Sequence, residues 1–227
     1  MFVTIEGDYS KFPEPIRQIF KLLEEHVVGL YEGYGVYSEL FMKSERKTGV
    51  VSAYTGSTLA WFQNFLQDAM CLQLAKLTDP DNRAQENLSI HKLAELGVPL
   101  SRDPVSFDIR VKASQEKIRQ ALQNIRTYRH KRLGHFDLHV SLKESLIPAP
   151  IFQEVRYAIE LVGQFLTMFH EEFGSLKMVY ELVRAEDITD RIQITVRKAM
   201  AYDALEHEGR ANPGEWATLT KGFHSDD

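Results

Sequence analysis

The sequence predicts an all-α protein, a helical bundle of five to six helices. Apolar residues recur every three or four positions along most of the 227-residue chain, and hydrophobic residues make up 44% of it. No strand–helix–strand alternation is present, and glycine or proline clusters separate the periodic segments as in bundles with moderate loops. We assign residues 1–209 to a single helical domain and residues 210–227 to an irregular C-terminal tail.

Three helices are predicted in the first half of the chain. Pro15 suits the first turn of a helix, and the apolar stripe after it runs from Ile16 to Tyr34. A second helix is expected to follow Thr55 or Ser57 as its N-cap and to stop at the sequence TDPDN. A short third helix, LSIHKLAEL, ends at Gly97.

Three further helices are predicted in the second half. A long one runs from about Ile109 to Leu133, and LIPAP separates it from a helix over 151–173 that Gly174 closes. The last runs from roughly Tyr180 to His207. Within it RIQITV alternates like a strand, but the flanking RKAMAYDALEHE favours a helix.

Composition excludes several classes of site. Cys71 is the only cysteine, which rules out an internal disulfide and a cysteine-based zinc site, and its apolar neighbours predict a buried structural thiol. No Ser–His–Asp set and no glycine-rich nucleotide-binding loop is present, so we expect no cofactor. The first ten residues lack the pattern of a secretory signal, and no window is apolar enough to span a bilayer. We therefore expect a cytoplasmic protein without a membrane partner.

Positive charge is concentrated in one segment. From Arg110 to His135 there are eight basic residues and one acidic residue, so this segment has a formal charge of +7 and the remainder −12. The helix dipole, which favours cations at a C-terminal end, explains Lys131 and Arg132. It explains Arg129 less well, because Arg129 lies at the edge of the buried stripe. We predict that Arg129 is paired inside the protein or presented in a groove or interface.

The same segment carries a family resemblance. Arg129 and His135 match the Arg–x(4–6)–His motif of HEPN proteins, with His130 where the family has Asn, Asp or His. RHKRLGHFD also resembles the RNKRLAHxD pattern of the abortive-infection AbiU-like branch, with Gly134 where that branch often has alanine. The upstream block LQLAKLTDPDNRAQENLSIHKLAEL is similar to the same branch, and the two blocks span residues 72–137.

The resemblance implies a HEPN-like bundle and metal-independent RNA cleavage at a site assembled from two protomers. We therefore expect RNA as a partner, and a two-fold homodimer in which the segments Arg126–Asp137 face each other. AbiU-like proteins are associated with phage defence and toxin–antitoxin pairs. The resemblance thus also implies a toxin controlled by an antitoxin protein.

Arginine and histidine are the residue types that this chemistry requires. When a ribose 2′-hydroxyl attacks the adjacent phosphate, a histidine, whose ordinary pKa is about 6.5, can transfer the proton. A guanidinium can hold the charged phosphate oxygens. His135 and Arg129 are the candidate catalytic residues. Supporting or RNA-binding roles are assigned to neighbouring residues, namely Tyr128, His130, Lys131, Arg132 and Asp137.

One geometric requirement follows. Six residues of a regular α-helix rotate the chain by about 240°, so such a helix would point Arg129 and His135 in different directions. A break near Gly134, or pairing across two subunits, removes the conflict.

Two alternatives remain open. In an extended chain His135, Asp137 and His139 would project to one side as metal ligands, although no HExxH motif or second acidic cluster completes such a site. A non-catalytic HEPN module that binds RNA or protein would carry the same basic helix. Metal analysis of the purified protein tests the first alternative, and RNA cleavage in EDTA tests the second.

Overall fold

The computed structural model describes residues 9–42, 56–80, 86–134, 148–174, 185–210 and 212. This part of the chain contains seven α-helices and no strand. A 3₁₀ turn, Val98–Leu100, follows the third helix, and a π-helical turn, Arg129–Gly134, continues the fifth. The helices are α1 (Glu14–Phe41), α2 (Ser57–Thr78), α3 (Ile90–Gly97), α4 (Pro104–Ala121), α5 (Gln123–Tyr128), α6 (Phe152–Phe173) and α7 (Ala185–His207).

The predicted all-α class is confirmed, with more helices than the five to six expected. The difference arises largely at Leu122, which is fully buried and has φ −89° and ψ 1°. These angles depart from α-helical values, so the long helix predicted from Ile109 to Leu133 is divided into α4 and α5. The strand-like RIQITV lies within α7, as predicted. Most of the predicted tail lies outside the described residues.

The helices α2 and α3 begin with different kinds of N-cap. The prediction that Thr55 or Ser57 caps α2 is wrong for Ser57, which is the first helical residue, and Thr55 lies outside the described residues. The N-cap is Gly56, whose φ of 54° is a left-handed conformation that glycine adopts without steric cost. By contrast, Ser89 caps α3 by accepting from the amide of Lys92 at 3.3 Å.

One hydrophobic core joins the helices. α1 packs against α2, α3, α6 and α7, and α6 also contacts α2 and α4. Fully buried side chains from five helices meet there, including Phe20, Leu23, Leu74, Leu93, Phe107 and Phe169. Complete burial of one such side chain stabilises the folded state by about 1.5–3 kcal/mol. The core therefore determines which helix ends lie next to each other. In particular it places the C-terminal part of α2 beside α5 and the π turn.

A polar cluster lies inside this core. The Tyr9 hydroxyl donates to Glu24 Oε2, and Glu24 Oε1 lies 2.9 Å from His170 Nε2. Glu24 and His170 are 1% and 5% exposed, and the imidazole meets the rings of Phe12 and Phe20 edge-on. Burial and the neighbouring carboxylate raise the pKa of Tyr9. These contacts tie the N-terminal segment to α1 and α6.

Cys71 is fully buried in α2, as predicted, and burial raises the pKa of its thiol to about 12. This thiol is therefore a packing group rather than a nucleophile. In the described residues we find no helix with the length and hydrophobicity needed to cross a membrane.

Candidate functional site

The C-terminal end of α2 is held by an arginine from the basic segment. Arg126 Nη2 on α5 donates to the Thr78 carbonyl oxygen at 2.5 Å and lies 3.3 Å from Thr78 Oγ1. The last carbonyls of a helix lack intrahelical partners, and the helix dipole makes that end negative. Arg126 therefore caps α2, which gives part of the basic segment a structural role.

The next turn of the chain presents Arg129 to Asp79, the residue that follows α2. Arg129 Nη2 lies 2.8 Å from Asp79 Oδ1 and 2.6 Å from Oδ2. The two side chains are 30% and 31% exposed, so the pair lies at the boundary between core and solvent. Of the predicted alternatives for Arg129, namely pairing inside the protein or presentation in a groove or interface, the structure confirms the pairing.

Positive charge exceeds negative charge around Arg126 and Arg129. Burial is the main cause that lowers the pKa of Arg126, the charge of Arg129 lowers it further, and Asp79 opposes both effects. The Nε atoms of Arg126 and Arg129 are buried and have no hydrogen-bond partner among the described residues. Among the described residues Asp79 is thus paired with Arg129 and acts on Arg126 through its charge alone, and the second guanidinium favours an anion such as phosphate.

Tyr128 supports this arrangement from within the protein. It is 3% exposed, and its hydroxyl donates to Asp68 Oδ1 on α2 at 2.7 Å. Burial and the Asp68 carboxylate raise the pKa of Tyr128. The guanidinium carbon of Arg132 lies 5.5 Å from the centroid of the tyrosine ring. This geometry favours the supporting role of Tyr128 over stacking on a base.

The π turn carries the remaining basic residues. His130, Lys131 and Arg132 are exposed there. Its i→i+5 pattern departs from the α-helix from Arg129 onward, earlier than the break expected near Gly134. From Arg129 to Gly134 the chain therefore does not follow the regular α-helix for which the 240° rotation was calculated.

Part of the predicted site lies outside the described residues. This concerns His135 and Asp137, and also His139 of the alternative metal site. Within the described ranges, no group of three His, Cys, Asp or Glu side chains is close enough to hold a metal ion.

Two open clefts flank the turn from Thr78 to Pro80. One, of about 440 Å³, is bordered by Asp79 together with His26, Gln73 and Lys76. The other, of about 310 Å³, lies between α3 and α4 and is bordered by Thr78, Pro80 and Arg126. Asp79, which holds Arg129, therefore borders the first cleft, and Thr78, which holds Arg126, borders the second.

Asp79, Thr78 and Asp68 were not predicted as site residues. The available signal was the Leu-Thr-Asp sequence at the end of α2, which belongs to the upstream block that carried the family resemblance. Arg129 and Asp79 are 50 positions apart, and only the packing of α5 on α2 brings them together.

Comparison with known proteins extends the resemblance along the chain. The HEPN_AbiU2 family model, described as AbiU2, matches residues 13–191. This match covers well over half of the chain and includes α1 to α6, the Arg129–His135 motif and the start of α7. No curated protein and no solved structure matches the chain.

Proposed function

The chain belongs to the HEPN AbiU2 family, and on that premise we propose that it is a metal-independent RNA endonuclease whose catalytic residues are Arg129 and His135. The observation that carries the proposal is the placement of Arg129. The arginine of the family motif is oriented by a carboxylate, is partly exposed, and lies in a region of excess positive charge. A charge-stabilising group needs this combination, because it must be positioned before the reaction and still reach the substrate.

In the proposed reaction the ribose 2′-oxygen attacks the adjacent phosphorus and loses its proton. The bond from phosphorus to the 5′-oxygen breaks, and that oxygen is protonated as it leaves. The products carry a 2′,3′-cyclic phosphate and a 5′-hydroxyl, so no water and no metal ion enter the step. Arg129 holds the negative phosphate oxygens, while His135 transfers a proton.

The proposed site is composite, with the motif segments of two protomers facing each other across a two-fold axis. Such a dimer doubles the positive charge at the axis, so acidic side chains such as Asp79 are needed to offset it. Light scattering is expected to give twice the mass of the chain, 26.1 kDa, at micromolar concentration. A monomer under these conditions would argue strongly against the composite site.

The direct test is cleavage of RNA in EDTA. Structured and single-stranded RNA incubated with the purified protein should yield fragments with cyclic phosphate ends. Cleavage that EDTA abolishes would support the metal alternative. RNA binding without cleavage by a dimeric protein would instead support the non-catalytic module.

Asp79 is expected to act as a positioning residue for Arg129. Asp79→Ala should lower kcat by about 10–100-fold, because small misplacement of a catalytic group costs up to roughly this much, while KM changes less. Asp79→Asn, which keeps one acceptor oxygen, should recover part of the loss. Single-turnover kinetics at saturating RNA measure the effect.

A double-mutant cycle separates this role from a merely structural one. In the Arg129→Ala background, Asp79→Ala should have no further effect on kcat, because the residue it positions is already absent. Thermal unfolding of each variant provides the control for folding. If Asp79→Ala lowers kcat equally in both backgrounds, Asp79 does not act through Arg129.

The family also supports a biological setting. We propose that the protein is a toxin of a phage-defence or toxin–antitoxin system, held inactive by a separate antitoxin. Controlled expression of the parent chain should arrest growth, whereas the His135→Ala variant at equal abundance should not. Harmless expression of an enzyme that is active in vitro would contradict the toxin role, while leaving the cleavage proposal intact.

A further inference from the structure

The cleft of about 310 Å³ between α3 and α4, the α3–α4 groove, lies beside the Arg129–Asp79 pair but is separate from it. Of the apolar residues that line it, Pro80 is exposed, whereas Ile90 and Ile118 are each 1% exposed and belong to the core beneath the groove. The lining also has a cationic part, formed by Lys112, Arg119 and Arg126. Among the described residues of the lining Glu116 is the one acidic side chain, so positive charge predominates there.

The three cations are evenly spaced along the chain. Lys112 and Arg119 are seven positions apart on α4, which keeps them on the same side of that helix because seven residues make close to two turns, and Arg126 lies seven positions further along the chain, on α5. At 1.5 Å per residue Lys112 and Arg119 lie about 10 Å apart along α4. Arg129 follows Arg126 by one turn. The row of cations therefore leads along α4 and α5 to the proposed catalytic arginine.

The carboxylates that now pair with these cations are exposed. Lys112 Nζ lies 2.6 Å from Asp108 Oδ2, with the two side chains 72% and 37% exposed. Arg119 donates from Nε and Nη2 to Glu116, with both distances 2.7 Å, and retains Nη1. Ion pairs at such exposure are weak and screened by salt, so phosphate oxygens can compete for the same donors.

We infer that the α3–α4 groove binds single-stranded RNA and leads it to Arg129. Phosphates lie along Lys112 and Arg119, and riboses or bases lie against Pro80. The inference rests on the proposed function, whose substrate path it specifies. Two exposed cations on one side of α4, in a groove that continues to Arg126 one turn before the proposed catalytic arginine, fit the phosphates of the chain that this arginine would cleave. The acidic remainder of the chain disfavours a long duplex.

A matched pair of lysines on α4 provides the test. Lys112 lines the groove, whereas Lys117 is exposed on the same helix and is not among the lining residues. Lys112→Glu and Lys117→Glu change the net charge equally. Any difference in RNA binding between the two variants is therefore due to the position of the substituted lysine. The probe is a fluorescein-labelled 12-mer of 2′-O-methyl RNA, which lacks the attacking hydroxyl and is not cleaved.

Fluorescence anisotropy as a function of salt measures the result. Lys112→Glu should weaken binding about tenfold at low salt and reduce the slope of log K against log salt by about 0.7, the value expected when one phosphate is no longer neutralised. Lys117→Glu should weaken binding less than about twofold. Arg119→Ala, as a second variant with an exposed side chain, should act in the same direction as Lys112→Glu. Thermal unfolding checks that each variant is folded.

Equal effects of Lys112→Glu and Lys117→Glu would overturn the inference, because binding would then depend only on overall charge. Failure of the parent to bind the probe would overturn it as well. The proposed RNA groove and the proposed endonuclease activity can be refuted independently of each other. A parent that cleaves RNA while Lys112→Glu binds the probe normally refutes the groove alone. A parent that binds through Lys112 but never cleaves RNA refutes the endonuclease alone.

Discussion

Arg129→Ala and His135→Ala are each expected to lower RNA cleavage by about 10²–10⁴-fold, the usual loss for a positioned acid–base or charge-stabilising group. The double variant should be scarcely slower than either single variant, because residues that serve one transition state are not additive. Single-turnover rates at saturating RNA measure this. A folded, dimeric His135→Ala variant that cleaves RNA at the parent rate would refute the proposal.

Variants of the neighbouring basic residues distinguish an effect on catalysis from an effect on RNA binding. Lys131→Ala and Arg132→Ala should weaken RNA binding and its salt dependence, with a much smaller effect on the saturated rate. His139→Ala is the matched control for His135→Ala and should cleave at the parent rate. Loss of activity in both histidine variants, together with stoichiometric metal, would favour the alternative metal site. Because Arg129 also pairs with Asp79, its variant must be checked for folding and dimerisation.

Glu24→Ala is expected to lower the free energy of unfolding by about 3–5 kcal/mol, the cost of removing one member of a buried polar pair. His170 and Tyr9 would both lose their acceptor inside the core. Since domains are stable by only about 5–15 kcal/mol, this is a large fraction of the total. The midpoint of thermal unfolding should fall by roughly 6–20 °C. Urea titration followed by circular dichroism measures the free energy.

The adjacent glutamate is the control for this prediction. Glu25 is exposed on α1, and Glu25→Ala should change the stability by no more than about 0.5 kcal/mol. The double variant Glu24→Leu/His170→Leu should lose less than the sum of its single variants, because it removes both members of the buried pair and only Tyr9 still loses its acceptor. If Glu24→Ala costs no more than Glu25→Ala, the buried contact with His170 does not stabilise the fold.

Helices and motif residues could be predicted from the sequence because their signals are local. An apolar stripe repeats every 3.6 residues, so α1, α2, α3 and α6 are visible in short windows. The position of Arg129 at the edge of such a stripe likewise indicated that it needed a partner. The Arg129–His135 motif and the upstream block were sufficient to indicate the family that the match over residues 13–191 then showed.

Glu24 illustrates what a local pattern leaves out. It lies on the apolar stripe of α1, between Phe20 and Val27, where a carboxylate is costly unless a partner is present. That partner, His170, is 146 positions away on α6. Nothing within a helical window of α1 contains this information.

The sequence by itself therefore determined the helical class and the basic segment, because residue spacing within each helix encodes them, and it carried the two motif residues as a short pattern of residue types. Only the tertiary structure decided that Asp79 orients Arg129, that Arg126 caps α2, and that Lys112 and Arg119 line one groove with Arg126. These pairings join residues up to 50 positions apart. They depend on which helix ends the buried core brings together, and side-chain chemistry alone does not specify that arrangement.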